Sequence, residues 1–303
     1  MAVPDFQSFF LPLLQYAGDG KVYSTQDAYS AMAEHFQLSD EARKEMLPSG
    51  KQQVYKNRVG WARVYLGKAM LLESPARGSF QITQRGQELL ASKPDSLRVR
   101  DLKQFSEFAT FHQPVSTQGE AEENIQNEES STTPEEVFEK AYLELRGGLA
   151  AELLDQILHN SPEFFEHLVV RLLVKMGYGG SIKDAGQAMG RSGDEGIDGI
   201  IKEDKLGLDV IYIQAKRWQG SVGRPEIQKF VGALHGQRAK KGVFITTSTF
   251  TKEADQYVSS IDPKVVLIDG SRLVELMIDH NLGVSTMDTY EIKKIDTDFF
   301  VAE

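Results

Sequence analysis

Helical spacing of apolar residues runs through the first ninety positions of the chain and is interrupted once, by a short alternating stretch. Residues 6–16 predict a first helix, and Ser24 stands as the cap of a second over 28–36. Ser39 caps a short third helix over 40–47. In the run VYKNRVGWARVYLGKAM, Val54, Val59, Trp61, Ala62, Tyr65, Leu66, Ala69 and Met70 keep a helical period, and Lys56, Arg63 and Lys68 fall mainly between them. Residues 71–74 and 79–83 flank Pro75-Ala76-Arg77-Gly78 and predict a hairpin; a last helix over 84–91 stops before Pro94. The three helices nearest the hairpin, the last one basic, followed by that basic two-stranded hairpin, form a winged-helix pattern. A helix fits the major groove, and cations on the wing can rest on phosphate. The competing reading is an amphipathic helix with a solvated basic face.

Downstream the pattern changes. Residues 114–133, PVSTQGEAEENIQNEESSTT, are polar, acidic and poor in aromatics, so they cannot bury enough apolar area to offset chain entropy and predict a disordered linker. Helices follow at 134–158 and 162–176. The second has Ser161 as its cap, Pro162 at its first position and Phe165, Leu168, Val169, Leu172 and Met176 as its apolar stripe. Strands at 197–201, 208–217, 242–247 and 265–268 then alternate with helices at 224–239, 252–260 and 271–280, the pattern of an α/β core with a mixed sheet flanked by helices. The expected organisation is a winged-helix domain over 1–92, a connector and acidic linker over 93–133, and an α/β domain over 134–303.

Composition narrows the classes. The 303 residues contain no cysteine, which excludes disulfides, thiol catalysis and Cys-type zinc sites and fits a reducing compartment. No apolar stretch nears the ~18 residues of a membrane span, and the first residues lack the basic start of a secretory signal, so a cytoplasmic, nucleoid-associated protein is expected. The net charge of −10 seems hostile to nucleic acid, but its distribution is uneven. Between 118 and 142 there are eight acidic residues and one Lys; between 51 and 103 there are eleven basic residues against four acidic ones. The basic run containing Lys56, Arg58, Arg63, Lys68 and Arg77 is expected to supply affinity for duplex DNA, with base readout near Asn57 and Trp61. The acidic segment is expected to contribute nothing or to compete with DNA for that basic face.

The candidate chemistry lies in GDEGIDGIIKEDKLGLDVIYIQAKRW. Alternate residues of a strand share a face, so Gln214 and Lys216 point together and Ala215 away. A hairpin through 203–207 brings Asp198 beside them. A carboxylate, an amide oxygen and a cation on one patch suit phosphodiester hydrolysis with Mg²⁺, which prefers oxygen ligands; Mn²⁺ is the alternative. The Ala215 carbonyl is a further candidate ligand, and Lys216 would polarise the water or stabilise the transition state. By itself the triplet Gln-x-Lys is also what a solvent-facing edge strand looks like.

The whole run is more specific. Residues 161–280 resemble the Mrr-type catalytic domain of the PD-(D/E)XK nuclease superfamily. The resemblance is carried by Phe165-Glu166, Gly177-Tyr178-Gly179-Gly180, Gly196-Ile197-Asp198-Gly199, Gln214-Ala215-Lys216-Arg217-Trp218, Gly223-Arg224-Pro225-Glu226 and Gly242-Val243-Phe244-Ile245-Thr246-Thr247-Ser248. Val54-Tyr55-Lys56-Asn57-Arg58 and Gly60-Trp61-Ala62 likewise resemble the Mrr N-terminal winged-helix domain. The resemblance implies a type IV restriction endonuclease that cuts methylated DNA, with Asp198, Gln214 and Lys216 as its catalytic set and Glu166 supporting the metal. Where the family usually has Gly-Asp-Gly-Gly, this chain has Gly193-Asp194-Glu195-Gly196. If the backbone there needs positive φ, Glu195 costs about 1 kcal/mol; alternatively it lends the site a carboxylate.

Other features carry less. The six histidines have no metal-ligand spacing, and Gly177–Gly180 lacks the Gly-Lys-Ser/Thr ending of a phosphate loop, so no nucleotide is expected. Arg217 and Arg224 flank the site and are candidates for phosphate contact, Gln228 for support from the next helix, and Trp218 for packing on the sheet rather than base stacking. Two alternatives remain open from sequence: a winged-helix regulator with an inactive nuclease fold, and a repair or junction-resolving nuclease. A homodimer or larger assembly is expected, because a duplex needs two cuts.

Overall fold

The computed structural model describes residues 2–111, 132–179, 197–204, 207–293 and 295. The chain divides into two compact units, Met1–Glu144 with Lys294–Glu303, and Leu145–Lys293.

In the first unit the Asp5 carboxylate caps a 3₁₀ turn, Phe6–Phe9, that runs into α1 (Phe10–Tyr16). Strand β1 (Tyr23–Ser24) leads into α2 (Thr25–His35), where Ser24 and Asp27 form a reciprocal capping box. Helices α3 (Asp40–Lys44) and α4 (Val54–Lys68) follow, then β2 (Leu72–Glu73) and β3 (Ser79–Ile82), and then α5 (Gln84–Ala91). The sheet order is β1-β3-β2, all antiparallel, so the hairpin read from the sequence is present and gains a two-residue third strand. Phe9, Phe10, Leu13, Leu14, Leu66, Leu71 and Phe80 are fully buried in its core.

That core extends past residue 92. Short helices α6 (Val99–Leu102) and α7 (Ser106–Phe111) bury Leu97, Val99, Leu102 and Phe108 in it, and the Phe108 ring lies 5.4 Å from that of Tyr65. The segment expected to open a connector is therefore part of the packed domain. Of the predicted linker only Thr132 and Thr133 are described; residues 112–131 lie outside the described residues. Helix α8 (Pro134–His159) is continuous, but residues up to 144 group with the first unit. The division thus falls eleven residues beyond the boundary expected at 133/134.

In the second unit α9 (Pro162–Lys175) starts at the Ser161 cap. A four-stranded sheet follows in the order β4-β5-β6-β7: β4 (Gly199–Lys202), β5 (Val210–Lys216), β6 (Lys241–Thr246) and β7 (Lys264–Ile268). The pair β4–β5 is antiparallel and the other two are parallel, joined by α10 (Arg224–Gly236) and α11 (Lys252–Val258). Helix α12 (Gly270–Asp279) closes the unit. Alternation along β5 and β6 divides the side chains. Ile211, Ile213, Ala215, Val243 and Ile245 pack with α9 and α12, while Tyr212 and Phe244 pack with α10 and α11. The mixed sheet expected from sequence is the one observed.

Candidate active site

The β4–β5 hairpin sets the geometry. Gly199 is the register partner of Ile213, and the Asp198 N–H donates to the Ile213 carbonyl at 2.9 Å. Asp198, one residue before β4, is thereby held opposite the end of β5. Its Oδ2 accepts the Ala215 N–H at 2.7 Å and the Gln214 side-chain amide. Gln214 is 2% exposed, so a polar amide is buried there and spends its donor on the carboxylate. Lys216 is half-buried, and its amine has no hydrogen bond or ion pair among the described residues.

Glu166 reaches this patch from α9. Burial and then the charge of Asp198 push its carboxyl above the usual range, while Lys216 partly offsets them. Of the residues chosen from sequence, Asp198 and Gln214 are thus in direct contact, Lys216 ends the same strand, and Glu166 on α9 feels the charges of Asp198 and Lys216. Glu195 lies outside the described residues. Among those described, no group of three or more His, Asp or Glu side chains is placed to hold a metal ion.

The flanking candidates fare differently. Arg217 turns away from solvent and donates to the Leu158 carbonyl at 2.8 Å, with its Nε buried and unpartnered. In this arrangement it braces the end of α8 rather than facing a phosphate. Arg224 is exposed and lies 5.0 Å from the centre of the Tyr257 ring. Gln228 is exposed on α10 and makes no hydrogen bond among the described residues. Trp218 is 39% exposed, so it is not packed into the sheet as expected.

In the winged-helix unit, α4 carries the predicted DNA contacts. Lys56 is half-buried, near the rings of Tyr29 and Tyr55. Arg63 donates to the Thr25 hydroxyl at 2.9 Å. Lys68 is exposed beside Phe111, and Arg77 is exposed on the wing turn. Asn57 and Arg58 are not presented to solvent. Asn57 is 2% exposed; its oxygen accepts the Thr133 hydroxyl at 2.6 Å and its amide donates to Glu135. Arg58 donates to Glu136 and to the carbonyls of Val3 and Pro4. Here the opening turn of α8 takes the place proposed for DNA, because carboxylates satisfy the same donors a phosphate would. Trp61 is half-buried against Tyr65.

Sequence reading assigned no role to Thr246, Thr247 and Ser248, although all three sit in a quoted motif. Their hydroxyls bond the backbone just past Lys216. No spacing rule exposes such contacts, since they depend on register between two strands.

The mixed sheet carries an acid and an amide in contact, with a lysine closing the same strand, and comparison with known proteins gives the family. A restriction endonuclease family model matches residues 157–277 and the Mrr N-terminal domain model matches 6–92. The "Type IV methyl-directed restriction enzyme EcoKMrr" of Escherichia coli (strain K12) is 40% identical over 308 residues, covering 99% of this chain and 100% of that protein. The chain therefore belongs to the Mrr family of restriction endonucleases, which are DNA endonucleases. Two solved structures share partial likeness. "DNA modification-dependent restriction endonuclease AspBHI" is 20% identical with a TM-score of 0.36, over 45% of this chain and 36% of that one. "MspJI Restriction Endonuclease in Complex with 27-mer Oligonucleotide" is 26% identical with a TM-score of 0.34, over 43% and 31%. Among the described residues no helix is long and apolar enough to cross a membrane.

Proposed function

We propose that this chain is a type IV restriction enzyme that hydrolyses phosphodiester bonds of methylated duplex DNA with the help of a divalent cation. The observation that carries the reading is the Asp198 carboxylate held against the Gln214 amide and the Ala215 N–H at the end of the strand hairpin whose second strand Lys216 closes. The substrate rests on the near full-length likeness to the methyl-directed enzyme of Escherichia coli.

The donor set suits a hard cation: carboxylates of Asp198 and Glu166, the amide oxygen of Gln214 and the carbonyl of Ala215. Burial, and after it repulsion from Asp198, raises the Glu166 carboxyl, and a dication relieves the cost of the charged form in both respects. In a strand the N–H and C=O of one residue point to the same side. Since the Ala215 N–H meets Asp198, its carbonyl faces the same patch. A half-turn of the Gln214 amide exchanges its NH₂ for its oxygen. Mg²⁺ is the first choice and Mn²⁺ the second. Such an ion would supply Lewis acidity toward the phosphate and its attacking water. The protein contributes the rest. Asp198 is fixed in place by strand pairing, and the Lys216 ammonium offers positive charge where negative charge grows on the phosphoryl oxygens. Each chain carries one such site, and two strands need two cuts, so at least two chains act together.

Digestion of one plasmid, prepared with and without base methylation and incubated with Mg²⁺ or chelator, tests the reading. Cleavage of the methylated plasmid alone, lost with chelator, is expected. Equal cleavage of both preparations would remove methylation as the trigger.

A further inference from the structure

The backbone pairing of β5 with β6 ends at the partners Lys216 and Thr246. There the Lys216 carbonyl accepts the Thr247 N–H at 3.3 Å and the Trp218 N–H at 3.1 Å, and side-chain hydroxyls add to these backbone bonds and carry them further. Thr246 Oγ1 donates to the Lys216 carbonyl at 2.8 Å, Thr247 Oγ1 to that of Trp218 at 2.7 Å, and Ser248 Oγ to that of Gly220 at 2.7 Å. Ser221 and Thr249 hydroxyls meet at 2.9 Å, and the Val222 N–H then returns to the Thr249 carbonyl at 2.8 Å. Three alternate carbonyls, starting at the last residue of β5, therefore accept from three successive hydroxyls.

The β6 side of this ladder is buried. Thr246 is fully buried and Thr247 is 4% exposed, and Thr246 Oγ1 also accepts the Ser248 N–H at 3.2 Å. From behind, Gly270 donates its N–H to the Ser248 carbonyl at 2.8 Å. A Cβ on Gly270 would stand 2.3 Å from the Thr247 carbonyl oxygen, so only glycine lets α12 approach this closely. The held segment forms one wall of an open cleft of about 540 Å³, lined by Leu158, Arg217, Trp218, Gln219, Gly220 and Ser221. Lys216 stands at the start of that wall.

We propose that Thr246, with Thr247 and Ser248, positions the reactive centre: the hydroxyl ladder fixes Lys216 and the cleft wall after it against the scissile phosphate. The proposal rests on the reading of Lys216 given above. Its physical basis is that a lysine must hold its ammonium within a fraction of an ångström of the developing charge. Its backbone is the last residue of a strand, where ordinary pairing stops. Misplacement by about 1 Å costs on the order of 100-fold in rate.

The test uses the full chain and methylated plasmid DNA under single-turnover conditions with Mg²⁺. Thr246→Val keeps volume and removes the donor. It is expected to lower the cleavage rate constant about 10- to 100-fold while DNA affinity stays at the parent value. Thr246→Ser, which restores the hydroxyl, is expected to recover most of the rate. Should the valine variant fold poorly by thermal melting, Thr247→Val carries the same test at the Trp218 carbonyl. A parental rate per folded molecule in both valine variants overturns the proposal, as does a loss that appears only as weaker DNA binding, or a serine variant as slow as valine. Lys216→Ala is the control. If it cleaves normally, the site reading itself fails; if it is dead while the folded valine variants cleave normally, the ladder alone fails.

Discussion

The Arg58 guanidinium is held by Glu136 at 2.7 Å, with both side chains largely buried, at 16% and 12% exposure. Its remaining donor bonds the carbonyls of Val3 and Pro4 at 2.9 and 2.8 Å. One basic side chain of α4 thus ties together the start of the chain, α4 itself and the opening turn of α8. Removing one partner of a buried pair leaves the other charge uncompensated and costs about 3–5 kcal/mol. Arg58→Ala is therefore expected to lower the urea midpoint of the first unit markedly. Loss of DNA affinity in molecules that remain folded should be smaller than that caused by Lys68→Ala. A variant as stable as the parent would show that the clasp contributes nothing.

Asp198→Ala and Lys216→Ala are each expected to abolish cleavage while leaving DNA binding by the winged-helix unit near normal. Asp198 also receives two hydrogen bonds at the hairpin, so Asp198→Asn is the gentler variant for checking that loss of activity is not loss of fold. Plasmid nicking and a gel-shift series on the same preparations separate the two properties. Near-normal cleavage by either alanine variant would remove the site assignment.

Gln214 gives a prediction with a structural readout. Its amide donates to the Asp198 carboxylate in a buried place. Gln214→Glu would set two carboxylates against each other, so the metal-free protein should melt lower than the parent. Mg²⁺ should then raise its melting temperature more than it raises the parent's, and cleavage should survive at some Mg²⁺ concentration. Gln214→Ala should lose cleavage. Identical Mg²⁺ titrations for Gln214→Ala and the parent would show that this side chain is not a ligand.

How much of this was legible in sequence depended on the range of the interactions. The pairing of Asp198 with Gln214 and Lys216 follows from one hairpin and the two-residue period of strands, both local. The winged helix was readable for the same reason, since its caps and wing lie within a few residues of each other. Helices α6 and α7, of four and six residues, are too short to show a period. Sequence alone therefore predicts a connector there, whereas Leu97, Val99, Leu102 and Phe108 belong to the core. Asn57 and Arg58 were assigned to DNA because their partners Glu135 and Glu136 lie 78 residues away, beyond an acidic stretch that gives no register. The hydroxyl ladder was invisible because hydroxyl contacts to a neighbouring strand leave no spacing in either strand.

Glu166 leads to a pH dependence. Burial and the nearby Asp198 charge raise its carboxyl, so it keeps its proton to higher pH than an exposed glutamate. Because the folded value lies above the unfolded one, ionisation of this group costs stability as pH rises through it, and a bound cation offsets that cost. A ligand carboxylate must also lose its proton before it binds metal. The Mg²⁺ concentration for half-maximal cleavage should therefore rise as pH falls through the carboxylate range. Glu166→Gln should need more Mg²⁺ at every pH and show a flatter dependence. An unchanged slope in that variant would separate Glu166 from the metal.

The last prediction concerns where DNA affinity arises in the first unit. Asn57 and Arg58 are engaged by the opening turn of α8, so the electrostatic contribution should come from Lys56, Arg63, Lys68 and Arg77. Each phosphate contact releases counterions, and its loss should reduce the slope of log affinity against log salt by about 1. Alanine at Lys68 or Arg77, both on exposed parts of the unit, should therefore weaken methylated and unmethylated duplexes alike and flatten the salt dependence by one contact each. Arg58→Ala should leave the slope near the parent's, because that guanidinium already spends its charge on Glu136. Neutralising the acidic turn bears on the same point. Replacing Glu135 and Glu139 with Gln removes two negative charges beside Asn57 and Ser49 without stripping Arg58 of its partner. If that turn repels or displaces phosphate, affinity at low salt should rise several-fold and the gain should vanish at high salt. A salt series on the full chain, read by fluorescence anisotropy, decides it. Equal slopes for the parent, Lys68→Ala and Arg77→Ala would mean that duplex DNA is held elsewhere in the protein.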